Sequence, residues 1–427
     1  VTAIVPRRRT RDGETPRQLS APWLAALALA IIFLLLWAGI GTRDLPGDLI
    51  LYFDYANYVD DGLLPYRDVR IEYPPLALIP ILLPFFSGTG AFISFEAAFA
   101  AEMAALAIAG GWLIWRLMAR LMPDASARER HWRMVAYVAA WPLLGQIVTT
   151  RFDALPTVLT IAAVALWIER RERAAWIILA LGVGVKLFPV VIAPLFAIDL
   201  LVRRGPRAAV TGGLTFMAAC VAAFLPGLLL SPDGLRHALT YHADRGMQLE
   251  SVYANGLLVV NKLTGFAVGT DHVFGGFEAI SAWTDELKPI SALVQLAALG
   301  GVYLLYTIYR QGCEQDPSSD ELLIVGATLA LVAFIVAGKV FSPQYLIWLM
   351  PFIPLLPVRI ARDAVIVFFA ALVLTQIIYP YTYESLIDRA PFAIGLLTAR
   401  NAMMLALIAL LIEGLSASPR EGVLDAG

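Results

Sequence analysis

Leu76-Ala-Leu-Ile-Pro-Ile-Leu-Leu-Pro-Phe-Phe86 is apolar throughout, yet far shorter than the roughly 20 residues a helix needs to cross a bilayer. Its placement orients everything after it. If 76–86 crosses, the basic loop carrying Arg116, Arg120, Arg128, Arg130 and Arg133 falls on the non-cytoplasmic side. If it lies along the outer surface, that loop falls inside, as the positive-inside rule requires. The same rule then places Arg7, Arg8, Arg9, Arg11 and Arg17 inside, followed by Arg170, Arg171 and Arg173, by Arg203, Arg204 and Arg207, and by Arg359 and Arg362. The surface reading satisfies every basic cluster, so 76–86 is expected to be an outer-face helix.

Working outward, candidate spans are 21–41, 91–118, 133–150, 154–168, 174–186, 188–202, 208–230, 290–309, 321–338, 344–358, 364–380 and 391–414, about twelve in all. The chain has 427 residues, 59% hydrophobic and 15% charged, with mean hydropathy +0.73. Soluble domains carry roughly a quarter charged residues, so this composition belongs to membrane proteins. The stretch 21–41 is too long for a signal-peptide core and lacks a small-residue cleavage site, so it reads as a retained helix. The expected organisation is a cytoplasmic tail 1–20, one transmembrane domain 21–415 and a cytoplasmic tail 416–427. A first outer loop at 42–90 carries amphipathic helices, and a long outer loop covers 231–289.

With this orientation the chemistry crowds the outer face. The first outer loop holds Asp44, Asp48, Asp54, Asp60, Asp61, Asp68 and Glu72 with Tyr52, Tyr55, Tyr58, Tyr66 and Tyr73. At helical spacing Asp48, Tyr52 and Tyr55 share a face, which reads either as a polar stripe beside a pocket or as an interfacial aromatic belt. In Arg70-Ile-Glu72-Tyr73-Pro74-Pro75 the prolines preset an extended approach that fixes Glu72 and Tyr73 at the bilayer edge. Lys186, in Gly182-Val-Gly184-Val-Lys186-Leu-Phe188-Pro189, interrupts an apolar hairpin where an ammonium is costly and calls for a partner or a pathway role. Arg151 and Asp153 read equally as an ion pair between helix ends or as substrate contacts. Tyr241-His242-Ala-Asp-Arg245-Gly-Met-Gln-Leu-Glu250-Ser251 gathers an acid/base group, a cation and an anion in one outer loop, and Tyr345 follows Gln344 late in the chain.

Other chemistries find no support. The two cysteines, Cys220 and Cys313, and the four histidines show neither metal-ligand nor nucleophile spacing. There is no Walker loop, no Gly-rich dinucleotide fingerprint and no basic, aromatic-interleaved surface for nucleic acid.

In order and spacing, Asp48…Tyr52…Gly62…Pro65-Tyr66…Glu72-Tyr73-Pro74-Pro75 resembles the first outer loop of polyprenol-phosphate-dependent glycosyltransferases of the GT-C fold, family 87 above all. That family includes bacterial α-mannosyltransferases of the cell envelope. Arg151-Phe152-Asp153, Lys186-Leu-Phe188-Pro189, Arg245-Gly-Met-Gln-Leu-Glu250-Ser251 and Phe341-Ser342-Pro343-Gln344-Tyr345 are similar to it as well, and together they extend the resemblance over 20–415.

The resemblance implies an all-α, GT-C-like bundle in a bacterial-type cell membrane, with both termini cytoplasmic and the active site on the outer face. It implies transfer of a sugar, mannose first with glucose or arabinofuranose open, from a polyprenyl phosphate to a glycolipid or glycan acceptor. The family's acid matches Asp48, the expected base in one inverting displacement, with Asp54 the alternative. Lys186, Arg245 and Arg151 are the expected phosphate partners. Tyr52, Glu72, Tyr73, Asp153, His242, Glu250, Tyr345 and Asp54 are expected to contact substrate or order the loops. Partners are the lipid-linked donor, the acceptor and membrane lipids, with no nucleic acid. With Lys and Arg on the leaving phosphate and no carboxylate cage, neither a divalent metal nor another cofactor is expected. The competing reading is a secondary transporter or a lipid or glycolipid flippase. Broken helices and a buried Lys suit it, but its site would lie at the midplane rather than at one face.

Overall fold

The computed structural model describes residues 21–40, 47–86, 88, 90–313 and 318–416, together with the backbone but not the side chains of Ile40, Gly47, His242 and Ser318. The expected tail 1–20, the expected tail 416–427 beyond Ser416, and Asp44 lie outside the described residues.

The chain opens with α1 (Ala21–Ile40), then α2 (Gly47–Asp60), α3 (Leu78–Phe86) and α4 (Phe92–Leu121). The surface reading of 76–86 is consistent with α3, because nine residues rise only about 13 Å, well short of a hydrocarbon core. It is two-faced: Ile81 is buried, whereas Ile79, Leu83 and Phe86 are exposed. Pro74 is extended (φ −60°, ψ 160°), and Pro75 begins the short turn leading into α3. The prolines thus stop any helix from running through from Glu72.

Next come α5 (Ala127–Ala140), α6 (Ile147–Thr150), α7 (Ala154–Ile168), α8 (Glu172–Val185), α9 (Ala193–Arg204) and α10 (Pro206–Leu230). Pro142 and Gly145, the latter at φ +54°, separate α5 from α6. The expected hairpin 174–202 is α8 and α9, joined by Lys186 in extended backbone and a 3-10 turn over Phe188–Ile192. The long loop 231–289 holds α11 (Pro232–Asp244), α12 (Val252–Thr264) and an antiparallel hairpin, β1 (Gly269–Val273) and β2 (Gly276–Ile280). That hairpin departs from the all-α expectation, although it is the one sheet among the described residues. The chain closes with α13 (Thr284–Gln311), α14 (Ser318–Ala337), α15 (Val358–Gln376), α16 (Tyr383–Ile387) and α17 (Pro391–Ser416).

The protein is an all-α polytopic membrane protein in its spanning part. Each expected span coincides with helical structure, but among the described residues seven helices are long and apolar enough to cross: α1, α4, α10, α13, α14, α15 with its extension to Tyr381, and α17. The remaining segments are short or broken, which is tolerated where backbone is enclosed by protein. The segment expected at 344–358 is instead two 3-10 turns, Pro343–Leu349 and Ile353–Leu355, and Leu346, Ile347, Leu349, Phe352 and Leu355 are fully or almost fully buried. Its terminal carbonyls, Pro354 O and Leu356 O, each accept from Arg133 Nη1 at 2.7 Å. Arg133, read in the sequence as a loop charge, is therefore a buried cap on a broken helix. α14 is the most enclosed of these seven spans, with 89% of its apolar stretch buried.

Candidate active site

A cavity of about 580 Å³ opens at one end of the bundle. Asp48, in the first turn of α2, contributes a carboxylate to its wall. Arg151, in the extended residue between α6 and α7, meets it with Nε 2.8 Å from Asp48 Oδ2. Gln344 Oε1 accepts from the same Nε at 3.3 Å and from the Ser342 hydroxyl at 2.8 Å. The pair thus ties α2 to two later segments and fixes the position of the carboxylate.

Lys186 lines the same cavity from the C-terminal end of α8. Its Nζ donates to both oxygens of Asp153, at 2.8 and 2.9 Å. Asp153 is fully buried and also accepts from Trp348 Nε1 at 2.7 Å. Lys186 Nζ lies 5.1 Å from the Phe152 ring centroid and 5.9 Å from that of Tyr345. The costly ammonium therefore has both a carboxylate and aromatic faces about it. Asp153 anchors Lys186 and does not itself line the cavity.

Arg245 completes the cationic set. No ion-pair partner is found for it among the described residues, and its Nε is buried without a hydrogen-bond partner. Its seat is built by backbone pairing. Gly246 N donates to Glu278 Oε1 at 2.7 Å, Ala279 N to Met247 O at 2.8 Å and Leu249 N to Phe277 O at 2.9 Å, so 246–249 joins the edge of β2. Gln248 N in turn donates to Lys339 O at 3.0 Å. The hairpin forms the opposite wall with His272, Phe274 and Phe277.

Glu72 and Tyr73 line the cavity from the approach to α3. Burial raises the Glu72 carboxyl above its ordinary value, and the charge of Asp48 adds to this, while a hydrogen bond from Tyr241 and the charge of Arg245 oppose it. Glu250 is almost wholly buried on the wall, and burial lifts it to about 7 despite the nearby Arg400. Tyr345 lines the cavity and stacks on Trp348 at 4.1 Å.

Two expected residues lie elsewhere. Tyr52 is buried behind the wall, packed on Tyr73, Phe99 and Phe152. Asp54, about 240° round α2 from Asp48, is half-buried off the cavity. The His242 side chain is outside the described residues.

Sequence reasoning missed Tyr241, Tyr379, Tyr383 and the whole hairpin wall as site residues. Of the three tyrosines only Tyr241 stands in a stretch that the sequence singles out. Gly275-Gly276 between alternating apolar residues was the available hairpin signal. Among the described residues no group of three or more His, Cys, Asp or Glu side chains is placed to hold a metal ion.

The bundle of spanning and broken helices is the GT-C fold, and its cavity gathers Asp48, Glu72 and Glu250 with Arg151, Lys186 and Arg245. The fold matches the solved structure of ArnT from Cupriavidus metallidurans bound to undecaprenyl phosphate, with TM-score 0.50 and 13% identity over 93% of this chain and 78% of that one. The chain belongs to glycosyltransferase family 87, whose profile matches residues 72–334. It is also 26% identical over 325 residues to GPI mannosyltransferase 1 of Gibberella zeae, covering 72% of this chain and 70% of that protein. Family membership decides for a transferase over the transporter or flippase reading.

Proposed function

We propose that this glycosyltransferase moves a sugar, mannose first, from a polyprenyl phosphate to a glycolipid or glycan acceptor on the outer face of the cell membrane. The observation that carries the reading is the common cavity of Asp48 with Arg151, Lys186 and Arg245. A displacement at the anomeric carbon needs a base on one side and charge compensation for the leaving phosphate on the other. Asp48 takes the acceptor hydroxyl proton as the acceptor oxygen bonds to C1. The C1–O bond to phosphate breaks with its electron pair on the phosphate, and the configuration inverts through an oxocarbenium-like transition state. Arg245, whose Nε is unsatisfied, and Lys186 receive that charge, which in a water-poor cavity is worth several kcal/mol. Arg151 adds a third protein cation to the same cavity, so no divalent ion is required. The family's membrane fold, the mannosyltransferase relative and the lipid phosphate bound to ArnT support the donor assignment. The basic loops at the other end of the bundle support the sidedness, with both termini cytoplasmic.

The test is transfer of radiolabelled mannose from polyprenyl phosphate mannose to a membrane-lipid acceptor extract, with and without EDTA. EDTA-resistant product from the wild type, reduced about 10²–10⁴-fold in Asp48→Asn with donor binding retained, is the expected result. Unchanged turnover in Asp48→Asn would remove the base assignment and send the question to Glu72, the other carboxylate beside it.

A further inference from the structure

At the far end of α8 from Lys186, about 20 Å along the helix, a second cavity of about 290 Å³ opens between α8, α9 and α10. We propose that it binds the phosphate headgroup of an anionic phospholipid whose chains lie along α10.

Three arginines face it: Arg173 in the first turn of α8, Arg204 in the last turn of α9 and Arg207 in the first turn of α10. Against them stands Glu172, whose carboxylate is already engaged by Arg203 at 2.9 Å and by Arg204 at 3.0 Å. Arg173 and Arg207 are exposed, and no ion pair is found for either among the described residues. The N-terminal turns of α10, with Pro206 at their head, add amides and the positive end of a 25-residue helix.

An independent observation comes from Trp176. Its side chain is buried on the cavity wall, and its Nε1 has no hydrogen-bond partner. That nitrogen sits in the notch left by Gly212, where a Cβ would stand 2.5 Å from it. A buried indole N–H without an acceptor is costly, and a small outward turn of the indole from that notch would bring it to an oxygen of a bound headgroup.

The surroundings select lipid over a soluble anion. From Arg207 an exposed apolar stripe runs along α10 through Val210, Leu214, Met217 and Val221, at the spacing of one helix face. A headgroup held by the arginines would lay its acyl chains on that stripe. Basic pockets between spanning helices, at the boundary carrying the chain's positive loops, suit anionic lipid headgroups. The site lies at the other end of the bundle from the transfer cavity and does not depend on the reaction assigned there.

The experiment places the full chain in nanodiscs of phosphatidylcholine with a minor fraction of phosphatidylglycerol and counts retained lipids by native mass spectrometry. The wild type should retain phosphatidylglycerol preferentially. Arg173→Ala/Arg207→Ala should lose about thirtyfold in that preference. Trp176→Phe should lose a smaller part with both arginines in place. The charge-matched control Arg128→Ala/Arg171→Ala, on the same face, should retain the preference. Equal loss in the control would show diffuse attraction and overturn the site. Displacement of phosphatidylglycerol by excess inorganic phosphate would also overturn the lipid assignment, leaving a soluble anion as the occupant.

Discussion

Lys186 and Asp153 show what one residue is asked to do at the cavity floor. Asp153 is buried with Lys186 as its only cation among the described residues, so Lys186→Ala would strand a carboxylate in a low-dielectric setting. Breaking such a pair costs about 3–5 kcal/mol, whereas removing both charges costs less. Lys186→Ala should therefore lower the detergent-solubilised melting temperature strongly, and Lys186→Ala/Asp153→Ala should recover part of it while transfer stays lost. If the single variant melts like the wild type, the pair is not structural and Lys186 serves the donor alone. Glu250 carries a second consequence. Its carboxyl is raised by burial from an ordinary 4.5 to about 7, so the folded state holds the proton more tightly than the unfolded chain. Stability linked to Glu250 is full below about pH 4.5 and declines as pH rises to about 7, by on the order of 3 kcal/mol. Melting curves across that window should show the decline, and Glu250→Gln, which cannot ionise, should flatten it. A wild-type profile matching that of Glu250→Gln would contradict the assignment.

Among the elements, the β1–β2 hairpin forms one wall of the site. It is held by the strand-like pairing of 246–249, and the close approach is possible because residue 246 is glycine. A Cβ there would lie 1.9 Å from Glu278 Oε2. Gly246→Ala should drive the Glu278 carboxylate off Gly246 N, at about 1–3 kcal/mol for the overpacking and the lost bond, and loosen the seat of Arg245 against the hairpin. The expected result is a lower melting temperature together with a loss of transfer larger than the loss of folded protein, read by melting and by the mannose assay on the same sample. Unchanged transfer would mean that the hairpin is not part of the working cavity. The helices show the converse. α3 was legible because its prolines and the basic loops on either side act locally, and α8 and α9 were legible as short arms for the same reason. The segment 343–356 was not, because an apolar run enclosed by protein looks like a span. What breaks it is Pro343 and Pro354 together with the buried Arg133, more than two hundred positions away, which satisfies the freed carbonyls.

Across the whole molecule, the sequence by itself determined the class. Hydropathy is a sum over neighbouring residues and the arginine bias a property of short loops, so the polytopic all-α architecture and the crowding of polar groups at one end could be read without coordinates. The ordered motifs from Asp48 to Tyr345 pointed to the family in which the chain belongs. The tertiary structure decided which of those residues meet. It joined Asp48 to Arg151, made Asp153 the anchor of Lys186 rather than a wall residue, set Tyr52 and Asp54 off the cavity and brought in Tyr241, Tyr379, Tyr383 and the hairpin. It also assembled the arginines of α8, α9 and α10 around a buried indole at the far end. The physical reason is one of range. A transmembrane segment is specified by the transfer energies of its own side chains, whereas a site is specified by distances between segments, which packing alone sets.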